Sequence, residues 1–139
     1  MIDHAAKRIH VSAVVLRHAE TGRILAVRKR GTSVFMQPGG KPDPGESAVD
    51  AAIREIREEL LVELDPARMR LLGVFDAPAA NEGGYTVRGT VFTHPPVDVS
   101  EPAAEIEEIR WVDDQAAPAP DLAPLMMQRI LPALRAAGV

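Results

Sequence analysis

Residues 40–62 read GKPDPGESAVDAAIREIREELLV, and this stretch decides the fold. Its first six residues are rich in glycine and proline, which excludes a helix or a central strand there. The residues that follow repeat with a helical period and predict a helix that begins near Glu46 or Ser47 and ends around Leu60 to Leu64. At 3.6 residues per turn the apolar side chains share one arc about 100° wide; they are Val49, Ala52, Ile53, Ile56 and Leu60.

Three carboxylates, Glu55, Glu58 and Glu59, lie on the arc beside the apolar one. Like charges at these spacings repel by a few tenths of a kcal/mol per pair, and the C-terminal half of a helix disfavours negative charge. A bound cation would relieve that repulsion. Hard oxygen ligands favour Mg²⁺ or Mn²⁺, ions that usually act on phosphates. The alternative interpretation is a solvated face of ordinary Glu–Arg pairs.

The spacing of the polar residues separates these interpretations. The pattern is G-x5-E-x7-R-E-I-x-E-E, which places Gly40, Glu46 and Arg54 at fixed distances before the three carboxylates. It arises by chance on the order of once in ten million start positions. It resembles the Nudix box of hydrolases that act on a nucleoside diphosphate linked to another group X. The match extends to Val62. At Leu61 the chain departs from the family, which has glycine there.

The resemblance implies roles for individual residues. Glu58 and Glu59 are the expected metal ligands, and Glu55 is either a ligand or a base that activates water. Gly40 is expected to offer its backbone carbonyl to the metal. Arg54 is expected to reach Glu58 one turn later and orient its carboxylate. For Glu46, structural support at the start of the helix and contact with the metal stay open. Leu61 disfavours a sharp helix end, so the helix is expected to continue to Glu63 or Leu64.

Residues outside the box supply further candidates. Many family members use another carboxylate as base or ligand, and four glutamates precede or open the strand at residues 106–112; Glu105 is preferred, Glu108 is second, and Glu101 and Glu107 complete the set. A solvated acidic loop is the alternative. Lys41, Arg28 and Arg88 are candidates for phosphate contacts, although basic side chains on strand ends are usually only surface.

The rest of the chain predicts an α/β fold. Strands are expected at residues 9–17, 23–29, 69–75, 85–93 and 106–112, with the first two forming a hairpin. A C-terminal amphipathic helix is expected over residues 121–137, bent at Pro132. Strands around two long helices predict a mixed β-sheet between helices, the Nudix-like α/β/α sandwich that the resemblance also implies.

Length and composition limit the function. The 139 residues are consistent with a single domain over residues 1–139. The net charge of −4 argues against a broad nucleic-acid surface, and no apolar run approaches a membrane span. The absence of cysteine and of a signal region favours a cytoplasmic location. A monomer or a homodimer is expected.

Other chemistries lack their motifs. The chain has no G-x-S-x-G elbow, no zinc spacing among its four histidines, and neither a Walker nor a Rossmann glycine pattern. The leading hypothesis is Mg²⁺-dependent hydrolysis of a (deoxy)nucleoside triphosphate to monophosphate and pyrophosphate. ADP-ribose or a nucleotide sugar is second, because Pro78 lies 16 residues after Val62, a position that the resemblance associates with the ADP-ribose hydrolases of the family. A dinucleoside polyphosphate is third. A catalytically silent nucleotide-binding domain is the alternative from another class.

Overall fold

The computed structural model describes residues 2–139. These residues form eight strands and two α-helices. The strands are β1 Ile2–Asp3, β2 Arg8–Leu16, β3 Ile24–Lys29, β4 Phe35–Met36, β5 Gly39–Gly40, β6 Arg70–Pro78, β7 Thr86–His94 and β8 Ile106–Val112. The helices are α1 Ala48–Leu60 and α2 Leu131–Ala137. A 3₁₀ turn, Pro66–Arg68, precedes β6, and a π-helical segment, Leu125–Ile130, leads directly into α2.

The strands form two sheets. The larger sheet has the order β1-β2-β7-β6, with β5 also paired to β2, and it is mixed because β2 and β7 are parallel. The smaller sheet, in the order β4-β3-β8, is antiparallel. The predicted hairpin of the first two long strands is wrong, because β2 and β3 belong to different sheets. Their ends meet at a bridge between Arg17 and Ile24, next to which the His18 amide donates to the Arg23 carbonyl at 2.8 Å.

Helices cover both sides of the sheets. Alternate side chains of β2 enter two separate apolar clusters, so that Ala13 and Val15 pack with the C-terminal helical segments, whereas Val14 and Leu16 pack with α1. This arrangement confirms the predicted α/β/α sandwich with a mixed sheet. Within residues 2–139, no helix is long and apolar enough to cross a membrane.

The start of α1 agrees with the prediction, and its end lies at the near limit of the predicted range, without the continuation expected from Leu61. Ser47 caps the helix, since its hydroxyl accepts a hydrogen bond from the Asp50 amide at 3.1 Å. The helix stops at Leu60 instead of continuing to Glu63 or Leu64. Leu61 adopts the left-handed conformation, with φ 57°, and its amide donates to the Arg57 carbonyl at 3.0 Å. Leu61 is 73% exposed, whereas Leu64 is buried, so ending the helix here directs an apolar residue back into the core.

The C-terminal helix is shorter than predicted and is not uniform. It begins at Leu125 rather than at residue 121, and its first six residues have π-helical hydrogen bonding. The Leu131 amide accordingly donates to the carbonyl of Met126, five residues earlier. Pro132, where a bend was expected, lies in the first turn of α2. Proline lacks an amide hydrogen, so the hydrogen-bond pattern must change near it, and the wider helical turn accommodates that change.

Candidate functional site

The short strand β5 brings the backbone of Gly39 and Gly40 against α1. Gly39 has φ 147°, and a β-carbon there would collide with the Ser12 carbonyl oxygen. A β-carbon at Gly40 would lie 2.6 and 2.7 Å from the two carboxylate oxygens of Glu55. Only glycine therefore allows this close approach between the loop and the glutamates of the helix.

Glu59 is the most unusual side chain of the site, because it is a carboxylate with only 1% of its surface exposed. Its Oε1 accepts a hydrogen bond from the Gly39 amide at 3.0 Å. Among residues 2–139, its Oε2 has no hydrogen-bond partner. Burial and, to a smaller extent, the neighbouring charge of Glu55 raise the pKa of Glu59 to about 8, against the lowering effect of the Gly39 amide. A buried carboxylate with a free oxygen beside a second carboxylate is suited to a cation.

Arg54 holds the carboxylates on the outer side of the site. Its guanidinium makes a two-pronged interaction with Glu46, at 2.8 and 2.9 Å, and contacts Glu55 at 2.9 Å. The predicted partner, Glu58, is farther away at 3.4 Å. These acidic neighbours raise the pKa of Arg54, with the Glu46 hydrogen bonds as the largest cause. Arg54 also lies 3.5 Å from a carboxylate oxygen of Asp43, so it contacts four carboxylates rather than Glu58 alone.

Glu46 is held in a structural position. Besides the pairing with Arg54, its Oε1 accepts a hydrogen bond from the Asp43 amide at 2.9 Å. The Arg54 hydrogen bonds, and then that of the Asp43 amide, lower the pKa of Glu46 to about 2. Of the two roles left open by the sequence, this arrangement favours support of the loop and of Arg54.

The three predicted ligands share one side of α1 but have different surroundings. The Glu59 side chain is buried, that of Glu55 is 15% exposed and that of Glu58 is 53% exposed. Across the described part of the chain, no three acidic or histidine side chains converge as a formed metal cluster. The residues nevertheless fit a divalent cation, because the donors are hard oxygens and the free Glu59 oxygen needs a partner. Gly40, Glu55, Glu58 and Glu59 are the groups that could hold it.

A cleft of about 470 Å³ opens beside these residues. Gly40, Lys41, Glu55 and Glu105 line it, so four of the predicted site residues share one cavity. Glu105 is preceded by a loop and forms an ion pair with Lys29 at 3.3 Å. Its position in the cleft agrees with the preference given to it over the other three glutamates.

Arg28 lies in a different environment. Its guanidinium pairs with Glu107 at 2.8 Å and with Glu108 at 3.1 Å, and it donates to the Thr32 carbonyl. It is not among the residues that line the cleft. Substrate contact by Arg28 therefore stays a prediction. Arg88 is paired with Asp76 at 2.8 and 2.9 Å.

Sequence reasoning missed several residues of the cleft. Lys29 follows Arg28 in the chain, and no local signal shows which of the two side chains points inward. The Gly39 amide, which binds Glu59, is a backbone group without a sequence signature. Ser12 and Gln37 are buried polar residues that line the cleft. For Ser12, the one signal was a polar residue inside the apolar run of β2.

Comparisons with known proteins agree with this geometry. The NUDIX domain family model matches residues 7–134. A provisionally named 8-oxo-dGTP diphosphatase of Bacillus subtilis is 34% identical over 79 residues, which are 57% of this chain and 52% of that protein. An isopentenyl-diphosphate Delta-isomerase of Cutibacterium acnes is 34% identical over 107 residues, 66% of this chain and 53% of that protein. The chain thus spans about half the length of these two curated relatives.

A solved structure extends the similarity to almost the whole chain. The solution structure of the ORF135 protein of E. coli has a TM-score of 0.70 and 26% identity, over 99% of this chain and 97% of that protein. Hydrolases of the matched family generally use a divalent metal ion. Of the box residues, Gly40, Lys41 and Glu55 line the cleft, whereas Glu46, Glu58 and Glu59 do not. Since the family match covers residues 7–134, the chain belongs to the NUDIX family.

Proposed function

We propose that this chain is a Mg²⁺-dependent pyrophosphohydrolase, with Mn²⁺ as an alternative ion, that cleaves a (deoxy)nucleoside triphosphate to the monophosphate and pyrophosphate. One observation carries the proposal. Glu59 is buried with a free carboxylate oxygen behind the cleft wall, where its other oxygen is bound by the amide of the cleft-lining Gly39 and its pKa is affected by the charge of Glu55. A carboxylate is costly to bury without a partner, and the partner that suits hard oxygen ligands at this site is a divalent cation.

The chain's own residues have separate roles in this proposal. Gly40, Glu55, Glu58 and Glu59 are the proposed ligands. When bound, the ion would neutralise phosphate charge and make a coordinated water more acidic. Arg54 fixes the orientation of Glu55 and keeps it from turning away from the loop.

Two further residues that line the cleft have roles in this proposal. Glu105 is the proposed carboxylate from outside the box, held by its ion pair with Lys29. Lys41 is exposed at the rim and is the proposed contact for an outer phosphate. The positive charge of Lys29 also lies close enough to Glu59 to lower the pKa of that carboxyl.

The size of the cleft and one relative support a triphosphate substrate. A cleft of about 470 Å³ is within the range that holds a molecule of nucleotide size. The B. subtilis relative carries the name of a diphosphatase for an oxidised deoxyguanosine triphosphate. The proposed partner is therefore a small-molecule nucleotide. We propose a cytoplasmic protein that is a monomer or a homodimer.

ADP-ribose, or a nucleotide sugar, is the second candidate. The specific observation in its favour is the position of Pro78, which was singled out from the sequence and which lines the cleft beside Ala79 and Ala80. A bulky leaving group would extend past this wall. A triphosphate would not need to contact it.

A substrate screen tests the proposal. Nucleoside and deoxynucleoside triphosphates, ADP-ribose, nucleotide sugars and dinucleoside polyphosphates are incubated with the protein at alkaline pH, with Mg²⁺, Mn²⁺ or a chelator. Products are identified by mass. Monophosphate and pyrophosphate from a triphosphate support the first candidate, and AMP with ribose 5-phosphate from ADP-ribose supports the second. If no compound is cleaved with either ion, the chain is not an enzyme of this kind, and a silent nucleotide-binding domain becomes the better account.

A further inference from the structure

Gln37 lies where the chain passes from the smaller sheet to the larger one. It follows β4, and only Pro38 separates it from β5. The Val14 amide donates to the Pro38 carbonyl at 3.1 Å. The side chain of Gln37 adds a second hydrogen bond to the same residue, because its Nε2 donates to the Val14 carbonyl at 3.1 Å. The side-chain amide thus takes the place of a backbone donor along the edge of β2.

This hydrogen bond fixes the direction of the Gln37 amide. A carbonyl can only accept, so the nitrogen of the side chain must face Val14 and the oxygen must face the other way. Gln37 is 7% exposed and forms part of the cleft wall. Within residues 2–139, nothing donates to its Oε1, and this atom is also shielded from bulk solvent. Buried acceptors are nearly always satisfied in native proteins, and Gln37 is part of the cleft wall, so a small shift of its side chain on ligand binding would bring this acceptor to a donor of the bound molecule.

The other unpaired buried oxygens of the described chain are less informative about the ligand. Glu59 Oε2 belongs to the proposed metal site. Ser12 Oγ can either donate or accept, so it does not define a ligand group. Gln37 Oε1 can only accept. The cleft lining is partly apolar, with Ala13, Ala123 and Met126 among its residues, and an acceptor that is shielded from solvent discriminates strongly between ligands with and without a donor.

We propose that Gln37 is a specificity-determining residue whose Oε1 accepts a hydrogen bond from an N–H or O–H group on the nucleoside part of the substrate. This inference rests on the proposed function. The donor could belong to the base, as an exocyclic amine or a ring N–H, or to the ribose as a hydroxyl. Both sources share the chemistry that Gln37 recognises, and paired substrates distinguish them.

The test compares wild-type protein with Gln37→Leu on pairs of triphosphates that differ by one donor. GTP and ITP differ by the 2-amino group, and ATP and purine riboside triphosphate by the 6-amino group. UTP and N3-methyl-UTP differ by a ring N–H, and GTP and N1-methyl-GTP likewise. CTP and zebularine triphosphate differ by the 4-amino group, and ATP and dATP by the ribose hydroxyl. Steady-state kcat and KM are measured for every pair.

In the wild type, removal of the recognised donor is expected to lower kcat/KM at least about tenfold, mainly through KM. In Gln37→Leu the same removal should change kcat/KM by less than about twofold, because the acceptor is gone. Gln128→Leu is the matched control, since Gln128 is exposed and lies outside this cleft; it should keep the wild-type penalty. Gln37→Met provides a second variant if leucine prevents folding, which circular dichroism checks.

Three results overturn the inference, and they are distinguishable. If Gln37→Leu keeps the full penalty, Gln37 does not contact the donor. If the wild type hydrolyses triphosphates but no pair differs, the cleft does not select by a donor. If the wild type cleaves no triphosphate, the proposed function fails first, and the inference fails with it.

Discussion

At the scale of single residues, the site contains charged side chains that do not form simple one-to-one ion pairs. Glu59 is buried with one free oxygen, whereas Arg54 contacts carboxylates from both the loop and the helix. The identities of these residues were predictable from their spacing. Their division of roles was not, because it depends on how far each side chain is buried. Periodicity alone does not show that Glu58 is exposed and Glu59 is enclosed.

Leu61 gives a prediction about stability. A non-glycine residue in the left-handed conformation costs about 1–2 kcal/mol, and Leu61 buries little surface in return. Leu61→Gly removes that strain but makes the unfolded chain more flexible. We expect a net gain of about 0.5–1 kcal/mol in the free energy of unfolding, measured by urea denaturation. Leu61→Ala keeps the strain and serves as the control. A glycine variant no more stable than the alanine variant would contradict this explanation.

Glu46 gives a prediction about acid stability. Its pKa falls from an ordinary value of 4.5 to about 2 in the folded protein, chiefly through Arg54. A lowered folded-state pKa means that the ion pair stabilises the protein fully above about pH 4.5 and is lost as the pH falls through about 2. The melting temperature of wild type should exceed that of Glu46→Gln at pH 6, and the gap should close toward pH 2. A gap of constant size across this range would show that the ionised pair is not its cause.

At the scale of elements, the long regular segments were predictable and their partners were not. The period of α1 and the alternation of β8 are local properties, so both elements occur where the sequence placed them. The pairing of β2 with β7 joins residues almost 80 positions apart, which no local pattern encodes. The short turn before β3 predicts a hairpin, but β2 and β3 belong to separate sheets. This division lets the strands cover two apolar clusters.

The close approach of β5 to the Glu55 side chain gives a prediction about activity. Gly40→Ala would place a methyl group within 2.7 Å of both carboxylate oxygens of Glu55 and displace that side chain. Displacement of a catalytic group by about 1 Å can cost on the order of 100-fold in rate, so kcat should fall by that order while the fold persists. Gly83→Ala is the control, because a β-carbon there meets open space. Equal activity of the two variants would mean that close approach at Gly40 is unimportant.

At the scale of the whole molecule, the two helical layers and the two sheets meet around one cleft. The proposed ligands come from α1 and β5, Glu105 comes from the loop before β8, and Lys29 ends β3. Four separate segments therefore build one site. The box on α1 was visible in the sequence because its residues are contiguous. Lys29 and Gln37 were not, because only the packing of the sheets brings them to the cleft.

The central claim is that the buried Glu59 is part of a divalent-metal site that supports hydrolysis. The most direct test is the Mg²⁺- or Mn²⁺-dependent turnover of the best triphosphate by wild type, Glu59→Gln and the control Glu63→Gln, whose carboxylate is exposed and paired with Arg57. Glutamine keeps the shape but removes the charged ligand, so kcat should fall at least ~100-fold, whereas Glu63→Gln should resemble the wild type. Near-normal turnover by a folded Glu59→Gln protein would contradict the claim.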